Sequence, residues 1–97
     1  MFEIEKYIWK IMEELHGAKE YAIKYVEYKS KSDSKCSKYK DMAEQELQHA
    51  KNFYEFSIQE MEILSRGQVP TNLKDEFQKA QDKYAEKVAT IKYMLSL

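Results

Sequence analysis

Apolar residues recur every three or four positions along most of the chain, the spacing that places side chains on one face of an α-helix. Two short polar runs interrupt this pattern, at residues 30–34 and 66–70. Serine, aspartate, glycine and proline, which occur in these breaks, favour turns over helix interiors. The pattern therefore predicts three helices, at residues 2–29, 34–66 and 72–96.

The residues at the two breaks also predict how the helices begin and end. The short polar side chains of residues 30–34, Ser-Lys-Ser-Asp-Ser, can supply an N-cap for the second helix. Gly67 fits the left-handed position that follows a helix, and Pro70 prevents that helix from continuing. Thr71 or Asn72 can cap the third helix.

Helices of these lengths extend for about 40, 50 and 35 Å, at 1.5 Å per residue, while the loops between them are short. Such helices can only fold back side by side. Two glycines and one proline in 97 residues leave few other places to turn. The sequence therefore predicts an all-α fold, an antiparallel three-helix bundle, formed by one domain at residues 1–97.

The first helix carries two apolar strips rather than one. Two strips predict two neighbours, and a domain of this size often associates to bury more surface. We therefore expect one strip to pack within the chain and the other to face a second subunit, which gives a homodimer or a higher oligomer. The main seam is Ile4, Ile8, Ile11, Leu15, Ala18, Ala22 and Tyr25, and the second strip is Trp9, Met12, His16 and Ile23.

Charge and cysteine content argue against several classes of function. A net charge of −1 with interspersed signs offers no basic stripe, so we expect no nucleic-acid partner. No apolar run is long enough to span a membrane, and no secretory signal is evident. Cys36 is the only cysteine and cannot form an intrachain disulfide. These features predict a cytoplasmic protein in which Cys36 is a half-buried packing residue rather than a reactive thiol.

One carboxylate interrupts the apolar stripe of the second helix. An ionised carboxylate in such a position must be protonated, paired with a cation or bound to a metal. Its neighbour His49 follows one turn later and offers a second ligand. The stripe is Tyr39, Ala43, Glu46, Ala50, Phe53, Ser57, Met61 and Leu64.

Glu14 is a second glutamate that faces inward, on the first helix beside Ile11, Ala18 and Tyr21. Carboxylates and imidazole are the ligands that hold iron or manganese in helical bundles. We therefore predict metal ligation by Glu14, Glu46 and His49, with Tyr21 beside the site. In the alternative, Glu46 is hydrogen-bonded to tyrosine hydroxyls or paired with a lysine, and His49 is a partly buried hydrogen-bonding histidine.

Glu-x-x-His spacing is weak evidence by itself, because 17 of the 97 residues are acidic. Glu13 and His16 have the same spacing. His16 lies about 200° around the helix from Glu14, on the strip that contains Trp9. We therefore interpret His16 as an interface residue.

Two segments resemble the ferritin-like superfamily, especially its rubrerythrin and encapsulated-ferritin branch. Residues 14–21, Glu-Leu-His-Gly-Ala-Lys-Glu-Tyr, are similar to the first-helix pattern of Glu, a small residue and an aromatic seven places on. Residues 43–50, Ala-Glu-Gln-Glu-Leu-Gln-His-Ala, are similar to the second-helix Glu-x-x-His-Ala pattern. The whole chain also resembles small ferritin-like proteins encoded in bacterial prophages.

The resemblance implies that Glu14, Glu46 and His49 bind iron or another divalent metal, with Glu46 bridging two ions. The third helix offers no inward acid or histidine, so one chain holds half of a di-metal site and a dimer would complete it. Fe(II) oxidation by oxygen is the activity implied. The alternative is a metal-free interaction module of phage or prophage origin, in which Glu46 and His49 form a buried polar network.

Overall fold

The computed structural model describes residues 2–97, and within this range the chain is all helical, with no strand. Helix α1 spans Glu3–Ser30, α2 spans Lys35–Leu64 and α3 spans Thr71–Leu95. The all-α prediction is confirmed. The observed helix ends lie within two residues of the predicted ones.

The turns differ from the sequence predictions in their details. Gly67 does not adopt a positive φ, and the left-handed residue is Ser32, with a φ of 55°. Helix α2 ends instead in a tightened last turn, where the N–H groups of Arg66 and Gly67 donate to carbonyls three residues earlier. The predicted glycine cap was therefore wrong, because hydrogen bonding within the turn satisfies these carbonyls without a left-handed residue.

The two predicted N-caps have different outcomes, because the polar run at residues 30–34 supplies a side-chain acceptor at the start of α2, whereas α3 has no side-chain cap. Ser34 occupies the position before α2 without a capping hydrogen bond from its side chain. Asp33 acts instead, since its Oδ1 accepts from the N–H of Lys35 at 2.9 Å. Pro70 precedes α3, which begins at Thr71 without a side-chain cap. Proline sets a suitable backbone angle and has no N–H group to satisfy.

Helix α1 is the central element, since it packs against both α2 and α3. Small residues lie in the middle of the contact between α1 and α2. Ala18 and Ala22 of α1, and Ala43 and Ala50 of α2, are each 0% exposed. Helices α2 and α3 meet through the stacked rings of Tyr54 and Tyr84, whose centroids lie 4.1 Å apart. The core is therefore a continuous layer along α1: Ile11, Leu15, Ala18, Ala22, Tyr25, Ala43, Ala50, Ile91 and Leu95.

The contacts between α1 and α2 follow a regular order. Tyr7 near the start of α1 lies against Phe53 and Phe56, with ring centroids 6.4 and 5.7 Å apart. Tyr21 lies two turns after Glu14 on α1, and the centroid of its ring is 6.3 Å from that of Tyr39. Contacts thus move back along α2 as they move forward along α1, which brings the level of Glu14 opposite residues 46–49. The molecule is elongated, 55 × 18 × 17 Å.

Exposed large apolar side chains lie on α1, on α2 and near the ends of the chain, where Phe2, Tyr93 and Leu97 are exposed. Trp9 and Ile23, from the second strip of α1, are 65% and 46% exposed. Met42, Phe56 and Ile63 on α2 are 37%, 45% and 53% exposed. The sequence pattern predicted the first group and missed the second. None of the helices within residues 2–97 combines the length and apolarity needed to cross a bilayer.

We expect Leu15→Ala to lower the free energy of unfolding by about 2–4 kcal/mol, because Leu15 is 1% exposed and its truncation leaves a cavity. Ile23→Ala, on the same helix but 46% exposed, is the matched control and should change stability by less than about 1 kcal/mol. Urea unfolding followed by circular dichroism measures both. Equal losses in the two variants would contradict the assignment of the core.

Candidate metal centre

Glu14 and Glu46 lie at the edge of the close contact between α1 and α2. Glu14 precedes the buried Leu15, and Glu46 lies between Ala43 and Ala50, which are fully buried. The alanines allow the two helices to approach closely, so long side chains beside them meet across the seam. The fold therefore brings together the two inward-facing glutamates that the sequence predicted.

His49 completes a group of three potential ligands. Its Nδ1 lies 3.5 Å from Oε2 of Glu14 and 3.7 Å from Oε1 of Glu46. One ligand atom from each of the three residues lies within 4.8 Å of the others. These separations are longer than good hydrogen bonds. A cation about 2.1 Å from each donor separates adjacent donors by roughly 3.0–3.4 Å, so small side-chain movements would close the group around an ion.

The three side chains differ in exposure. Glu14 is 17% exposed, Glu46 is 27% exposed and His49 is 53% exposed. His49 is therefore more accessible than the partly buried histidine of the alternative interpretation. It remains open because α3 packs on the opposite flank of α1, where Glu86 and Ile91 line a groove with Met12. The group is thus closed on its inner side and accessible on its outer side.

Gly17 provides the space that the carboxylate of Glu46 occupies. A Cβ atom at position 17 would lie 3.0 Å from Oε2 of Glu46, which is tighter than ordinary van der Waals contact. Glycine within a helix costs about 1 kcal/mol relative to alanine. Its presence in the middle of α1 therefore indicates a packing requirement, which is the approach of Glu46 to the α1 backbone.

The environment raises the pKa of Glu46 from 4.5 to about 7. The largest cause is a side-chain hydrogen bond with Glu14, followed by burial and by repulsion from the Glu14 charge. A positive charge on His49 acts in the opposite direction. Near neutral pH a proton on Glu46, or a nearby cation, therefore relieves the repulsion between the two carboxyl groups.

The observed neighbours of Glu46 are Glu14 and His49 rather than the tyrosine or lysine of the alternative interpretation. Tyr21, predicted to lie beside the site, has its ring against Tyr39. His16 lies away from the group, with its Nε2 3.6 Å from Oε1 of Glu20. Cys36 is half-buried, as predicted.

Comparison with protein-family models, characterised proteins and solved structures yields no match to this chain. The assignment of the site therefore depends on its own geometry and chemistry. That geometry defines a partly buried cluster of two carboxyl groups and one imidazole, which can bind a divalent cation or share a proton.

We expect Glu46→Gln to stabilise the metal-free protein more at pH 8 than at pH 5. The pKa of Glu46 is about 7 in the folded chain and 4.5 in the reference state, so the folded state binds the extra proton. Stability from this group is present below about pH 4.5 and is lost as the pH rises through about 7. Glutamine does not ionise, so the Glu46→Gln variant does not lose stability in this way as the pH rises.

Thermal unfolding with a chelator present, at both pH values, measures the difference. Glu44→Gln is the control, because Glu44 is an exposed glutamate on the same helix. Identical pH dependence in wild type and Glu46→Gln would contradict the raised pKa.

Proposed function

We propose that this chain is a ferritin-like metal-binding protein in which Glu14, Glu46 and His49 hold iron or another divalent cation. The observation that carries this proposal is the meeting of two partly buried carboxyl groups with an imidazole, all within 4.8 Å. Two carboxylates in contact repel each other, and a divalent cation removes that repulsion while using every donor.

The donor set suits the chemistry. Carboxylate oxygens are hard donors that neutralise the charge of the cation, and imidazole is a common ligand for iron, zinc and related metals. Glu46 adjoins both Glu14 and His49, and in this proposal it is the bridging ligand, the role that the resemblance implies. His49 would bind through Nδ1, the ring atom that faces both carboxylates.

Three protein donors leave coordination positions open, and the resemblance implies that the proposed site is half of a di-metal centre. In this proposal the chain is an antiparallel, ferritin-like bundle, and a homodimer brings two such half-sites together. The substrate would be Fe(II): two ions, one at each half-site, would each lose one electron, and dioxygen would accept both electrons with two protons to give hydrogen peroxide. The carboxylates compensate the increase in iron charge, and the exposed edge at His49 admits ion and oxygen.

A metal-free interaction module, of phage or prophage origin, is the second candidate. The observation in its favour is the raised pKa of Glu46, since one shared proton can stabilise the pair of carboxyl groups without a metal. Glu46 and His49 would then form a polar network that fixes the register of helix packing, and exposed apolar side chains would bind another protein.

We expect wild-type protein, loaded anaerobically with Fe(II), to retain one ion per chain in native mass spectrometry, and His49→Ala to weaken binding at least about 10-fold. His16→Ala is the matched control, because His16 has the same spacing from a glutamate but lies outside the cluster. Equal weakening in both variants would remove the ligand assignment.

Glu46→Ala should abolish oxygen uptake after Fe(II) addition, and Glu14→Ala should lower the metal content. Wild-type protein that takes up no oxygen but retains metal would remove the oxidase step alone. Wild-type protein that retains no metal would favour the interaction module.

Gly17→Ala should separate stability from metal binding. Alanine is favoured over glycine in a helix by about 1 kcal/mol, so thermal stability should stay equal or rise. The added Cβ atom displaces the carboxylate of Glu46, so metal affinity should fall. Calorimetric unfolding and metal titration of the same sample measure both effects, and unchanged affinity would show that Glu46 does not bind from its observed position.

A further inference from the structure

The site has one open side, and this side determines where a second copy can complete it. Two helix surfaces carry several exposed apolar side chains, while Phe2, Tyr93 and Leu97 are exposed near the ends of the chain. The first is the α1 strip, which consists of Trp9, Met12, His16 and Ile23. The second is here named the α2 strip, and it consists of Met42, His49, Phe56 and Ile63. The inference below rests on the proposed function, because it identifies the partner of the same site.

The α1 strip lies on the wrong side of the molecule for this purpose. At about 100° per residue, its centre is about 170° around α1 from Glu14. Met12, His16 and Ile23 instead line a groove with α3 residues such as Thr90. A copy bound there would be separated from Glu14 by the thickness of helix α1, and its ligands could not reach the site.

The α2 strip, in contrast, passes directly over the site, because His49 belongs to both. Its four residues are spaced seven apart, so they form one nearly straight line on the surface of α2. Met42, Phe56 and Ile63 are 37–53% exposed, and the exposed His49 lies between the first two. The ligand thus lies within an apolar line that no element of residues 2–97 covers.

We propose that the α2 strip is the docking surface for a second copy of this chain, bound antiparallel about a two-fold axis near His49. The positions of Met42 and Phe56 are symmetric about this residue, seven before it and seven after it, whereas Ile63 faces Lys35 of the partner subunit. Met42 therefore faces Phe56 of the partner subunit, and Phe56 faces the partner's Met42. The same axis brings His49 beside His49 of the partner subunit, so both groups of three ligands face one another.

Charge complementarity supports a second copy in this orientation over an unrelated partner. The beginning of α2 is basic, with Lys35 and Lys38, and its later half carries Glu60 and Glu62. A two-fold axis at position 49 places Lys38 opposite Glu60 of the partner subunit, and repeats this pair on the other side. A parallel arrangement would instead place like charges together, which costs affinity.

Phe56→Asp and Ile23→Asp form the first test. They place a charge on the α2 strip and the α1 strip, where the wild-type side chains are 45% and 46% exposed. Because Phe56 also contacts Tyr7 and Phe53 within the chain, circular dichroism checks that each variant is folded, and Met42→Asp gives a second test of the same strip. Light scattering after size exclusion should give twice the 11.6 kDa chain mass for wild type and Ile23→Asp, and the single chain mass for Phe56→Asp. The opposite pattern, or a wild type that is monomeric with and without metal, overturns the proposal.

Charge reversal tests the register. Lys38→Glu and Glu60→Lys should each weaken the dimer at least about 5-fold, because each places like charges opposite one another twice. The double variant should recover to within about 2-fold of wild type. Additive weakening in the double variant overturns the antiparallel register.

Metal titration of Phe56→Asp separates this inference from the proposed function. A monomeric variant that still binds one Fe(II) per chain through its three ligands supports both. A wild-type dimer that depends on Phe56 but binds no Fe(II) overturns the metal proposal and leaves the docking surface standing. A monomeric wild type that binds Fe(II) overturns the docking surface alone.

Discussion

The close approach of α1 to α2 is the interaction on which the rest of the structure depends. Four alanines with no exposed surface form this contact, and larger residues there would separate the helices. Because the helices are close, the carboxyl groups of Glu14 and Glu46 meet across the seam. Gly17 also allows a close approach, because the absence of a Cβ atom leaves space for the carboxylate of Glu46. Small residues thus determine both the core and the site.

This arrangement carries an electrostatic cost that packing alone does not require. Glu14 and Glu46 are both less than a third exposed, and their contact raises the pKa of Glu46 to about 7. Apolar residues of similar volume would fill the same positions without that penalty. A cluster that reduces stability and contains a strongly perturbed carboxyl group is typical of functional sites. The surrounding alanines and Leu15 supply the stability that offsets it.

Metal ligation by Glu14, Glu46 and His49 stays a prediction. The sequence did predict the helices, the buried seam of α1 apart from the half-buried Ile8, and the meeting of these three residues. These predictions succeed because the helical period fixes which side chains share a face. The spacing cannot reveal which flank a neighbouring helix covers, and for that reason the exposure of His49 and the α2 strip were missed. The contact between Gly17 and Glu46 was also missed. It depends on the register of α1 against α2, and the periodicity of a single helix gives no information about that register.

The exposure of His49 also distinguishes a structural role from a chemical one. A network that serves only to fix helix packing gains most when it is fully enclosed, since water weakens its hydrogen bonds. A structural metal site likewise has its coordination filled by the protein, whereas a reactive site keeps positions open. Here the carboxyl groups are sheltered, while the imidazole is 53% exposed. The cluster is thus closed on the side of the core and open on the side of the solvent. This difference in exposure favours a site that exchanges ions with its surroundings or joins with a second half-site.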